Sequence, residues 1–171
     1  LHFVPEERLG RGAVPTLSLA ENTLLTRTEN VSKSGWLRVA QVEQLAQTLI
    51  RRFNVKAGGP GAAAKSLSGG NLQKFIVGRE IDANPKLLIV SQPTWGVDVG
   101  ASAFIRQQLL DLSARGVAIL VISEELEELF DICDRIAVLL DKRVVVGTMQ
   151  ELLEYDHPWV REYFHGPRGR A

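Results

Sequence analysis

The chain has a single cysteine, Cys133, among its 171 residues. An internal disulfide is thereby excluded, and a reducing compartment is the expected setting. Charge of one sign is also missing, since Lys plus Arg number 20 and Asp plus Glu number 20. A nucleic-acid binder carries a basic excess or a basic stretch; none stands out, so nucleic acid is not an expected partner. No apolar run reaches the roughly 18 residues that span a bilayer. The opening, Leu1-His2-Phe3-Val4-Pro5, lacks the layout of a signal peptide and enters as though in mid-strand. That reads as a piece of a longer domain. The acidic run Glu124-Glu125-Leu126-Glu127-Glu128 is better read as charge at a helix start than as a metal site. Cys133 has no His near it in sequence and reads as a small buried apolar residue, not a nucleophile.

What is present is an ordinary globular composition, 45% apolar and 23% charged. Residues 2–4 read as a strand end stopped by Pro5, and Gly10, Gly12 and Pro15 mark a loop. Ser18 with Glu21 forms a capping box that predicts a helix over 19–26, followed by a polar loop over 27–35. Val39, Val42, Leu45, Ala46, Leu49 and Ile50 recur at helical spacing, which predicts a helix over 39–53. A Gly/Ala/Pro loop over 57–65 leads to Ser68, placed to cap a helix over 69–82. The runs 87–90 and 117–122 read as strands buried on both faces, separated by a helix over 101–114 that Gly116 closes. Ser123 is placed to cap a short acidic helix reaching Phe130. Strands over 136–140 and 144–146 follow, joined by an Asp141-Lys142 turn, and Pro158 suits the first residue of a last helix. This order predicts an α/β fold, with a parallel sheet and an inserted helical part. Trp36 and Trp95 read as packing residues, with contact roles as the alternative.

The stretch with the most chemistry is Leu67-Ser68-Gly69-Gly70-Asn71-Leu72-Gln73-Lys74. It places a Ser and two bare glycines at a helix start, where free N–H groups and the helix dipole favour an anion. An ordinary capped helix after a flexible loop is the plainer reading of the same spacing.

The wording of this stretch resembles the signature of ABC-type ATPases, in the form found in importers of simple sugars and nucleosides. Further motifs follow in that family's order and cover nearly the whole chain. Val4-Pro5-Glu6-Glu7-Arg8 resembles the Q-loop region, with Glu6 at the Gln position; residues 86–94 resemble the Walker B strand and its exit. Gly96-Val97-Asp98-Val99-Gly100 resembles the D-loop, and Val121-Ile122-Ser123-Glu124-Glu125-Leu126 the switch region. The resemblance implies a partial P-loop NTPase (RecA-like) core carrying the ABC helical subdomain. The implied division is a Q-loop region over 1–12, a helical subdomain over 13–85, a core portion over 86–147 and a helical tail over 148–171.

The departures carry as much information. The resemblance places a Mg²⁺-organising Asp and a catalytic Glu at the strand exit; here stand Ser91 and Gln92. Serine brings no negative charge to a hard cation, and glutamine accepts no proton as a carboxylate does. The switch His position holds Glu124. No G-x-x-x-x-G-K-S/T occurs, so nothing in these residues cradles β- and γ-phosphates. ABC domains pair head to tail, each ATP lying between the P-loop of one and the signature of the other. The resemblance therefore implies the latter part of a second, degenerate domain. Its Ser68, Gly69, Gly70 and Gln73 would serve the ATP and Mg²⁺ held by another ABC domain, with Glu6 and Asp98 as further site residues and no metal site of its own.

Implied partners are that second nucleotide-binding domain and transmembrane permease subunits, the chain lying in the cytoplasm against the inner membrane face. A non-catalytic interaction module is the alternative function. A soluble ABC-type ATPase of DNA repair or translation is a third, disfavoured by the sugar-type signature and the lack of basic stretches. Residues 156–166 resemble the tail of phospholipid-trafficking ABC ATPases, which extends onto a neighbouring subunit. The plainer reading of that tail is an amphipathic helix turning Trp159, Val160, Tyr163 and Phe164 onto its own domain.

Overall fold

A computed structural model describes residues 1–27, 32–33, 36–140 and 142–165. Asp141 of the expected turn, part of the 27–35 loop and Gly166 of the tail lie outside the described residues. The chain divides into two compact units, Leu1–Ile122 and Ser123–Ala171. The division falls inside the stretch 86–147 that sequence assigns to one core portion.

The first unit opens with β1 (His2–Val4) and α1 (Leu19–Leu24). A capping box of Ser18 and Glu21 starts α1, and the two hydrogen bonds from Ser18 hold the Glu21 carboxyl below its usual range. A small antiparallel pair follows, β2 (Ser32–Lys33) and β3 (Trp36–Leu37), where sequence predicts loop over 27–35. Trp36 is 81% exposed there, against the packing expectation. Then come α2 (Val39–Arg52) and α3 (Gly69–Asp82). The helix α2 is amphipathic as its spacing predicts, burying Val42, Ala46, Leu49 and Ile50. By contrast α3 is buried almost all round, from Leu72 to Ile81, so its sequence shows no polar stripe.

Behind these lie β4 (Leu87–Ser91), α4 (Val99–Ala114) and β5 (Ala118–Ile122). The strands form a parallel sheet of order β1-β4-β5, as predicted, with Phe3, Ile89 and Leu120 in register. The expectation that β4 and β5 are buried on both faces needs correction. Val4, Leu88 and Val90 are fully buried on one face, which α3 and α4 cover. On the other face Phe3, Leu120 and Ile122 remain about half exposed. Apolar runs are blind to which layer is present to cover each face.

The second unit contains α5 (Leu126–Ile132), the antiparallel pair β6 (Ile136–Leu140) and β7 (Arg143–Gly147), α6 (Met149–Leu153) and α7 (Pro158–His165). Helix α5 starts later than predicted, because Ser123 Oγ accepts from the Glu125 amide and closes a turn before it. Val160 and Phe164 of α7 are buried with Ile136, Val138 and Leu152, so the tail packs on its own unit. Trp159 stays 44% exposed, and the Tyr163 side chain lies outside the described atoms. Cys133 packs half-buried at the edge of this core, and burial with Glu128 and Asp134 nearby pushes its thiol up, which suits the inert reading.

Candidate functional site: the start of the third long helix

Ser68 takes the N-cap position of α3 in an extended conformation, and the first intrahelical bond runs from the Leu72 amide to Ser68 O at 2.9 Å. The amides of Gly69, Gly70 and Asn71 therefore have no partner inside the helix. Ser68 and Gly69 are exposed at this end. The expected side-chain cap is absent: Ser68 Oγ takes no helix amide and instead accepts from Asn71 Nδ2 of the first turn at 2.8 Å. What remains is a helix end of positive potential, open to solvent, with a hydroxyl beside it.

Gln73 departs from its expected role. Its side chain is 1% exposed, accepts from Arg8 Nε at 3.1 Å and donates to Pro93 O at 3.0 Å. Both ends are committed within the unit, so it ties α3 to the exit of β4 and does not reach outward. Asp98 is exposed at the N-cap of α4, its Oδ1 accepting from the Ala101 amide at 2.9 Å. That cap is why α4 begins at Val99, two residues before the sequence expectation. A Cβ added to Gly70 would lie 3.0 Å from Asp98 Oδ2, so this glycine is bare because the carboxylate abuts it. We expect Asp98→Ala to lower stability by about 1 kcal/mol through the lost cap while Asp98→Asn stays near wild type, as measured by urea unfolding.

A separate cleft of about 560 Å³ is lined by Phe3, Pro5, Glu6, Glu7, Arg11, Ser91 and Trp95. It brings together Glu6 of the Q-loop-like segment and Ser91 of the Walker B-like strand end. Trp95 is 58% exposed at its wall, again not a packing residue. Gln92 turns the chain at the end of β4 with a φ of 50°, its amide donating to Ile122 O at 2.7 Å. The strand end itself serves a hard divalent cation poorly, offering a hydroxyl and an amide; the carboxylates of the cleft are Glu6 and Glu7, the latter paired with Arg11 at 3.1 Å. Among the described residues no cluster of metal ligands occurs anywhere. Glu124 lies in the second unit, exposed, and is not placed relative to this cleft.

Sequence reasoning missed a buried ionic network at the other end of α3. Arg79 and Glu80 are 2% and 1% exposed and pair at 2.7 Å. Arg79 also donates to Asn22 O at 3.0 Å and Gly12 O at 2.9 Å, while Glu80 accepts from Thr26 Oγ1 at 2.8 Å and lies 2.6 Å from His2 Nδ1. The available signal was an adjacent Arg-Glu pair one residue, Gly78, after the apolar Phe75-Ile76-Val77 run.

The parallel sheet, the helical part and the bare helix start define a class. Solved structures of similar shape include ABC cassettes. One is an inward-facing ABC transporter assigned to the metal-chelate type, matched at a TM-score of 0.72 with 19% identity over 96% of this chain and 64% of that one. Another is a dimeric post-hydrolysis ATP-binding cassette bound to ADP and Pi, at a TM-score of 0.66 with 21% identity over 85% of this chain and 61% of that one. The likeness shows a shared fold, that of part of an ABC-type cassette. In sequence it is similar to the nucleoside import ATP-binding protein NupA of Lactococcus lactis, 46% identical over 82% of this chain and 28% of that protein. It is likewise similar to the ribose import ATP-binding protein RbsA of Halalkalibacterium halodurans, 38% identical over 90% of this chain and 30% of that protein. The chain thus spans under a third of the length of these relatives. No family model matches it. Among the described residues no helix is long and apolar enough to cross a membrane.

Proposed function

We propose that this chain supplies the signature helix of a composite ATP site, completing the active site of a second, P-loop-bearing ABC domain. The setting is an importer of a nucleoside or simple sugar, with permease subunits in the membrane and this chain on its cytoplasmic face. ATP and Mg²⁺ are held mainly by the other domain, and hydrolysis is that domain's work. One observation carries the reading: the start of α3 stands open, with Ser68 and Gly69 exposed and the first amides unused inside the helix. The degenerate strand end supports the division of labour, since Ser91 and Gln92 supply neither a charge for a cation nor a base for water.

In this reading each of the residues present has a task. The amides of Gly69 to Asn71 offer fixed dipoles to a terminal phosphate, and the Ser68 hydroxyl, held by Asn71, adds a donor beside them. Asp98 holds the loop next to Gly70 and faces outward from the same end of the unit. ATP, when bound, supplies the transferable phosphoryl group.

The test mixes the full chain with an ABC domain that has an intact P-loop and catalytic carboxylate but a disabled signature. The ATPase rate should rise at least about tenfold, a ~1.4 kcal/mol fall in barrier. Ser68→Arg should return it to the unstimulated level by filling the anion's place. Stimulation unaffected by that substitution rejects the composite site. No stimulation at all favours the non-catalytic interaction module.

A further inference from the structure

Arg8 leaves the exit of β1 and sends its side chain to the start of α3. Its Nε is fixed by Gln73 Oε1 at 3.1 Å, and Gln73 is fixed in turn by Pro93 O at 3.0 Å. The far end of the guanidinium lies against two glycines. A Cβ added at Gly69 would sit 3.1 Å from Nη1, and one added at Gly96 would sit 3.6 Å from Nη2. The guanidinium thus occupies a notch that exists because both residues lack side chains.

Of the acids nearby, Glu6 lines the cleft beside Ser91 and Trp95, and Glu7 and Asp98 are otherwise engaged. Glu7, its neighbour in sequence, pairs with Arg11 at 3.1 Å. Asp98 caps α4 through Oδ1 and lies against Gly70, the other glycine of the helix start. Among the described residues, the hydrogen bond to Gln73 is the one bond of the Arg8 side chain, and no carboxylate pairs with it. A helix start alone carries about half a unit of positive charge. A guanidinium adds a full unit and a planar fork that matches phosphate oxygens.

Building on the composite site proposed above, we infer that Arg8 is a specificity-determining residue of the signature site. It adds its charge and its Nη1 and Nη2 donors to the amides of Gly69 to Asn71, so the site selects a multiply charged phosphate chain. Gly69 and Gly96 are then required as glycines to keep that fork at the surface.

The experiment uses the same mixture of full chain and signature-disabled P-loop domain, with MgATP as the probe. Wild type, Arg8→Lys and Arg8→Met are compared for KM, kcat, ionic-strength dependence and melting temperature. Arg8→Met should raise KM for MgATP roughly tenfold or more, the scale of one lost charge-assisted hydrogen bond, with kcat within about twofold. It should also flatten the salt dependence of KM, while Arg8→Lys keeps that slope at an intermediate KM. An unchanged KM in Arg8→Met overturns the inference. So does a fall of kcat and melting temperature together in both variants, which marks Arg8 as only a brace for Gln73. Should Arg8→Met not fold, a KM and salt slope in Arg8→Lys identical to wild type on Gly69→Ala substitution, which presses on Nη1, overturns it as well. Loss of stimulation by Ser68→Arg separates the two readings: if it occurs and Arg8→Met is silent, the composite site stands and the role of Arg8 falls.

Discussion

Arg79→Met should cost about 3–5 kcal/mol of folding stability, the range for removing one partner of a buried ion pair. Small domains hold only about 5–15 kcal/mol in all, so the variant should be largely unfolded or close to it. The cause is what the substitution leaves behind. Glu80 keeps a carboxylate at 1% exposure without its cation, and the Asn22 and Gly12 carbonyls lose their donors. Methionine fills much of the space, so packing loss is the smaller part. Adding Glu80→Gln should recover part of the deficit, since a neutral amide tolerates burial better than a lone charge. A urea series on the two single variants and the double variant checks this, with the midpoint shifting and the slope unchanged. Additive losses would show that the two side chains act separately.

Gly78→Ala should be the next most damaging small change. A Cβ at Gly78 would lie 2.4 Å from Phe53 Cγ and 2.5 Å from Cδ2, inside any permitted contact. Phe53 is 1% exposed and caps the end of α2, so its ring has little room to withdraw. Overpacking of this kind costs about 1–3 kcal/mol, against a helix-propensity gain for alanine of at most ~1 kcal/mol. We expect a net loss of about 2 kcal/mol for alanine and more for valine. Phe53→Leu in the Gly78→Ala background should relieve the clash, making the pair less harmful than the sum by about 1 kcal/mol. Thermal melts of the four proteins test the cycle.

Much of the fold was legible because local signals and tertiary structure agree. Ser18 with Glu21 and Thr148 with Glu151 write two capping boxes into the sequence, and both helices start where those boxes put them. The apolar spacing of α2 matches its buried face. The candidate site was legible as a segment, not as a set of side-chain directions. Whether Gln73 points inward depends on where Arg8 and Pro93 lie, residues 65 and 20 positions away. Whether Ser68 caps its own helix was decided by Asn71 taking the hydroxyl, a choice between two equally local bonds. The open face of the sheet was illegible for a different reason: an apolar strand reads the same whether one or both faces are covered. The burial of Arg79 and Glu80 was not given by helical periodicity, which carries little signal in a helix buried almost all round; only their adjacency hinted at a pair.

The most direct measurement asks which residues of this chain lie beside the terminal phosphate of ATP held by another domain. An ATP analogue carrying a photoreactive aryl azide on its γ-phosphate is irradiated with the P-loop domain and this chain, and the adduct is located by mass spectrometry. Lys65 and Lys74 bracket the helix start, so trypsin releases it as the single peptide 66–74, apart from the peptide 1–8 that carries Glu6. The account predicts label in 66–74, dependent on the P-loop domain and lost in Ser68→Arg. Label only outside 66–74 and the Arg8-bearing peptide 1–8, or label in 66–74 without the other domain, would contradict it.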